Sequence, residues 1–137
     1  MTNKSTIISI VATFIWAFMG GYILWDIIAG SFINSHLGIA TGVPKEPDFP
    51  VLAIGCFIIA VAFNVIYKKW AGGSYSIRKA AIFGVWVGIL KGFGSGIIDF
   101  ATSNVLDLTG TLGNGFTYVV FFAIMGTIAG LIHKKIV

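Results

Sequence analysis

The sequence predicts an all-α membrane protein with four transmembrane helices, and three observations predict it. Apolar residues make up 57% of the 137 residues and charged residues 10%, whereas a soluble domain carries about a quarter charged. The mean hydropathy is +0.95. Four apolar stretches also approach the length of about 20 residues that a spanning helix needs. A backbone in lipid must satisfy its own hydrogen bonds, so stretches of this length are helices. Barrel strands would be about half as long and would alternate in polarity. The whole chain, 1–137, is expected to form one domain.

The first span is expected over 6–32. Lys4 precedes it and Ala29-Gly30-Ser31 has the small-x-small pattern of a cleavage site. Yet the apolar stretch exceeds the about 7–15 residues of a signal-peptide core and carries Asp26, so a retained helix is expected. The second span is expected over 50–67, with Pro50 in the first turn, where proline is tolerated. The third is expected over 79–100 and the fourth over 115–132. Between them lie a turn-rich loop containing Gly42-Val43-Pro44-Lys45-Glu46-Pro47-Asp48, a basic loop with Gly72-Gly73, and a polar loop over 101–114 with Asp107.

Orientation follows from the lysines and arginines. Lys4, Lys68, Lys69, Arg78, Lys79, Lys134 and Lys135 fall at one end of this arrangement, and Lys45 alone falls at the other. The first group marks the cytoplasmic face, so both termini are expected inside, with the spans forming two hairpins of the same orientation. The formal charge of +4 sits mostly in short loops beside apolar spans. That suits anionic lipid headgroups at Lys68, Lys69, Arg78 and Lys79 rather than nucleic acid. The expected location is a bacterial cytoplasmic (inner) membrane.

The third span is unusual. Gly84, Gly88, Gly92 and Gly96 recur every four residues, and small residues let helix backbones approach closely in lipid. With Gly84 at zero on a helical wheel, the glycines fall at roughly 0°, 40°, 80° and 120°. Lys91, Ser95 and Asp99 fall at roughly −20°, 20° and 60°, on the same face. Ile82, Phe83, Trp86, Leu90, Phe93 and Ile97 are left for the opposite, lipid-facing side. Gly126 and Gly130 form a second small-residue pair on the fourth span, a candidate partner for the third.

Lys91 lies about 18 Å past the cytoplasmic end of a hydrocarbon core about 30 Å thick. A charge there costs at least about 2.5–3.5 kcal/mol, so a partner, water or deprotonation is expected. Asp26 and Asp99 both come out roughly 28 Å from the inner edge, near the outer interface. They are the candidate partners, and a facing pair could bind a cation or share a proton. Asn64 is expected to hydrogen-bond between helices. Cys56 is a lone cysteine within an apolar run and reads as a small buried hydrophobe. His36 and His133 fall at opposite ends, so no metal site and no cofactor is expected.

Gly21-Tyr22-Ile23-Leu24-Trp25, then Gly30, Phe32 and Leu37-Gly38, look like the first helix of a family of small bacterial four-helix membrane proteins without an assigned activity. Ile98-Asp99-Phe100-Ala101-Thr102-Ser103-Asn104 resembles a Tyr-Asp-Leu-Thr-Asn signature of a second such family, with Ser103 separating the threonine and asparagine. The resemblance implies the four-helix fold and no mechanism.

Two functions stay open. One is a small transporter or channel subunit, alone or as a homo-oligomer, with Lys91, Ser95, Asp99 and Asp26 lining a polar path. No broken helix or selectivity motif accompanies it in the sequence. The other is an accessory or assembly subunit of a larger membrane complex, docked through the glycine face. An enzyme is not expected, because the chain has no Ser/His/Asp set, no Cys/His pair and no H-E-x-x-H motif.

Overall fold

The computed structural model describes residues 3–38, 48–103 and 105–136. Lys45, most of the predicted first loop and Asn104 lie outside the described residues. The described chain is helical apart from short connections and one isolated antiparallel bridge between Leu37 and Leu106. Four helices are long and apolar enough to cross a membrane, the mark of a multi-pass membrane protein: Lys4–Ile28, Phe49–Ala71, Ile77–Thr102 and Leu108–Lys135.

Helix α1, Asn3–Gly21, does not continue as an α-helix. It passes into a π-helical stretch, Tyr22–Ile28, before α2, Gly30–Ser35. Helix α3, Phe49–Ala71, starts where the Asp48 side chain accepts from the Val51 amide at 3.3 Å. It ends at Gly72, whose φ of 64° is the left-handed conformation that glycine adopts freely. Helix α4, Ile77–Gly88, is capped by the Ser76 side chain, which accepts from the Lys79 amide at 3.1 Å. A second π-helical stretch, Ile89–Ser95, then leads into α5, Gly96–Thr102. Both the first and third spans therefore change helical period along their length. Each stays one continuous helix, and it is the expectation of a single helical period that is corrected.

The fourth span, α6, runs over Leu108–Ile136, seven residues ahead of the expected start. Asp107 explains this: its carboxylate accepts from the Gly110 amide at 2.7 Å and caps the helix. The small residues that read as loop instead serve packing. Gly110 lies against His36, and Gly113 against the Phe32 ring. Two backbone bonds tie this end together, from Gly38 to Val105 O and from Asp107 to His36 O, each at 2.8 Å.

In contact order the spans run second, first, fourth, third. Helix α1 packs on α3 and on α6, α6 packs closely on α4, and α3 meets α4 only lightly. That light contact is aromatic and lies at one end. Phe63 meets Phe83 edge-on at 5.1 Å, Tyr67 lies 5.5 Å from Phe83, and Trp70 lies 5.3 Å from it. The same end gathers Thr6, Lys68, Tyr75 and His133, so it is the basic end. Away from it the second and third spans stand apart.

The glycine pairs are where backbones approach. A Cβ at Gly84 would overlap the Phe122 carbonyl, and one at Gly88 would come within 2.5 Å of Val119 Cα. One at Gly92 would come within 2.6 Å of the Gly115 carbonyl. From the other side, Gly126 faces the Ala80 carbonyl and Gly130 the Ala80 side chain. Gly96 departs from the expected stripe. A Cβ there would meet only Thr111 at 3.8 Å, an ordinary contact. The expected lipid face is also revised. Trp86 and Leu90 are exposed, but Phe83 is buried against Phe63 and Phe93 packs edge-on to Phe116 at 5.3 Å.

Candidate functional site

Where the second and third spans separate, a cleft of about 650 Å³ opens between them. The first and fourth spans form its floor, through Ala17, Phe18, Trp25, Tyr118, Phe121 and Phe122. Phe49, Leu52 and Ile59 of the second span make one wall, and Lys91 of the third stands on the other. Asp26 of the first span lines the same cleft. Among the described residues the cleft is therefore apolar and aromatic, with one cation and one anion.

Both charges sit on π-helical stretches, Asp26 within Tyr22–Ile28 and Lys91 within Ile89–Ser95. Such stretches close hydrogen bonds between residues i and i+5 and are frequent at functional sites. Glycines accompany both: Gly20, Gly21 and Gly30 flank the first, while Gly92 and Gly94 lie within the second. Gly30 lies so close to the Trp25 carbonyl that an added Cβ would stand 3.1 Å from it.

The π-helical stretch in the third span also undoes the shared polar face that a uniform wheel predicts. Lys91 turns into the cleft, with its ammonium 5.3 Å from the centroid of the Tyr118 ring, a cation–π distance. Asp99 lines a different cavity of about 350 Å³, together with Ser103, Thr111 and Asn114. Ser95 is half-buried and lines neither cavity. Asp26 and Asp99 therefore do not form a facing pair, and the first and third spans are not packed neighbours. Among the described residues, Lys91 makes no ion pair with either aspartate. One bond stands between the two cavities. The Trp25 indole N–H, on the cleft side, donates to Asn114 Oδ1 at 2.6 Å.

Toward the basic end the floor of the cleft gives way to a buried polar network. Ser9 Oγ donates to Asn64 Oδ1 at 2.5 Å, and Asn64 Nδ2 donates to Thr13 Oγ1 at 2.9 Å and to the Ala60 carbonyl at 2.8 Å. His133 Nε2 lies 3.3 Å from the same Asn64 Oδ1. Lys68 donates to Thr6 Oγ1 at 2.7 Å. Ser9, Thr13, Asn64 and His133 are fully buried. Asn64 thus joins three spans. His133 stacks on Tyr75 at 5.1 Å, and its Nδ1, like Tyr67 Oη, has no hydrogen-bond partner among the described residues. Of this network only Asn64 is expected from the sequence to hydrogen-bond between helices. The missed signal is Ser5, Ser9 and Thr13, polar residues at the same four-residue interval as the glycines.

Among the described residues no group of histidine, cysteine, aspartate and glutamate side chains is arranged to hold a metal. Cys56 is buried and unpaired. Comparison with protein-family models, curated proteins and solved structures finds no match to this chain.

Proposed function

We propose that the chain is a small transport subunit that takes its cargo into the cleft between the second and third spans. The observation that carries this reading is that Lys91 and Asp26, on two π-helical stretches of different spans, line one cavity without pairing. A charge held within a span costs at least about 2.5–3.5 kcal/mol. Here the cost is offset in part by the Tyr118 ring and by the space of the cleft, and by no ion pair among the described residues. A lysine that served only helix packing would be expected against a carboxylate or carbonyls. The aromatic contact at the basic end and the network around Asn64 close the cleft on that side, as one state of alternating access requires.

The seven cations at the basic end support an orientation with both termini in the cytoplasm and the cleft facing outward. The spans then form two hairpins of the same orientation, in the manner of small four-helix proteins of the bacterial inner membrane. Lys68, Lys69, Arg78 and Lys79 would meet anionic headgroups on the inner leaflet.

Native mass spectrometry of the protein released gently from its own membranes tests the reading. The expected result is the chain alone or as a homo-oligomer. A stoichiometric larger partner would overturn it in favour of an accessory subunit, with a partner helix seated between the second and third spans.

A further inference from the structure

The charges of the cleft select its ligand. The site holds one ammonium and one carboxylate, and neither is neutralised by the other. Both side chains are exposed along the cleft, and at membrane depth a ligand with a single fixed charge would pair with one and leave the other without a counter-charge. A zwitterion compensates both. The apolar wall, Phe49, Leu52 and Ile59, and Phe18 of the floor call for a hydrocarbon part on the same ligand. The second and third spans meet only at the basic end, so the cleft is open along its side, where the hydrocarbon of the membrane lies.

Resting on the transport reading of this same cleft, we propose that it binds a zwitterionic phospholipid. The lipid ammonium lies at Asp26 and its phosphate at Lys91, and its acyl chains leave between the second and third spans. Lys91 retains donors for a phosphate while its charge rests over the Tyr118 ring. Tyr22 and Trp25, which line the cleft with Asp26, suit an ammonium group because aromatic faces attract cations. By depth Asp26 is the outer of the two charges and Lys91 the inner. The headgroup ammonium therefore points toward the outer surface, as it does in a bilayer leaflet.

The test uses the full chain in detergent micelles and native mass spectrometry of retained lipid. The probes are phosphatidylethanolamine and phosphatidylglycerol with identical acyl chains, and chainless phosphoethanolamine as competitor. The wild type is expected to retain phosphatidylethanolamine about tenfold better than phosphatidylglycerol. Asp26→Asn should abolish that preference and raise retention of the anionic lipid. Lys91→Gln should weaken retention of both lipids, while Asp99→Asn, in the other cavity, leaves the preference unchanged. Among the described residues neither Asp26 nor Lys91 has an ion-pair partner to lose, and thermal unfolding of each variant checks that it is folded.

Equal retention of the two lipids by the wild type would overturn the proposal, as would an unchanged preference in both cleft variants. Displacement of the lipid by equimolar phosphoethanolamine would overturn it in favour of a soluble zwitterion. Any of these results in a chain that carries no partner subunit leaves the transport reading in place with another cargo. A copurifying partner removes that reading itself.

Discussion

Lys91 lies over the ring of Tyr118, 5.3 Å from its centroid, while Asp99, eight residues further along the same span, lines another cavity. On a regular α-helix these two residues would share a face. The π-helical stretch Ile89–Ser95 holds Lys91, ends before Asp99 and changes the period between them. The lysine therefore meets the aromatic ring and, among the described residues, makes no ion pair with the carboxylate. In a double-mutant cycle, Lys91→Gln and Asp99→Asn should be additive within about 0.5 kcal/mol. Lys91→Gln and Tyr118→Leu should couple by about 0.5 kcal/mol or more. Thermal or denaturant unfolding in a single detergent measures both.

The close approach of the third and fourth spans makes a contrast between glycines. Gly84→Ala places a methyl group into the Phe122 carbonyl and should destabilise by about 1–3 kcal/mol. Gly55→Ala, on α3, meets nothing within 4 Å and should be neutral or stabilising by up to about 1 kcal/mol. Equal effects at the two positions would mean that the spans are not in contact at Gly84.

Asn64 holds three spans together, so its loss should exceed that of any one partner. Asn64→Ala removes bonds to Ser9 and Thr13 and leaves the buried Ser9 hydroxyl without its acceptor, while Thr13 keeps its bond to the Ser9 carbonyl, at a cost of about 1–3 kcal/mol. Ser9→Ala should cost less and should be non-additive with Asn64→Ala by at least about 0.5 kcal/mol. Full additivity would show that the network is not formed in the membrane.

The bond between Trp25 and Asn114 separates the two cavities. Trp25→Phe keeps the ring packing on Tyr118 and Phe121 but loses the donor. It should cost about 0.5–1.5 kcal/mol, and Asn114→Ala should add little on top of it. A large additional loss from Asn114→Ala would mean that the asparagine has another essential partner.

The long spans were legible because length and hydropathy act through the bilayer alone. The approach at Gly84, Gly88 and Gly92 was legible because an interval of four residues keeps a helix face in register. Two things were hidden, for different reasons. The stretch before Gly115 looks like loop until Asp107 is seen to cap it and His36 and Phe32 to fill the space beside its glycines. The π-helical stretches leave no motif beyond nearby glycines, so the positions of Lys91, Ser95 and Asp99 around the span could not be read with one fixed angle per residue. Ser5, Ser9 and Thr13 were readable by the same spacing as the glycines, but a hydroxyl near the end of a span also reads as ordinary interfacial solvation.

The most direct test of the cleft is the chemical accessibility of position 91. In a Cys56→Ala background, Lys91→Cys is treated with a membrane-impermeant maleimide in sealed vesicles of each orientation. Leu90→Cys serves as the reference, because Leu90 is 72% exposed on the outside of the bundle and faces lipid. The account predicts rapid labelling of Lys91→Cys from the side opposite the termini, slow labelling from the side of the termini, and no labelling of Leu90→Cys from either. Equal inertness of the two thiols would contradict it, because position 91 would then lie against lipid or packed protein and not on an open cleft.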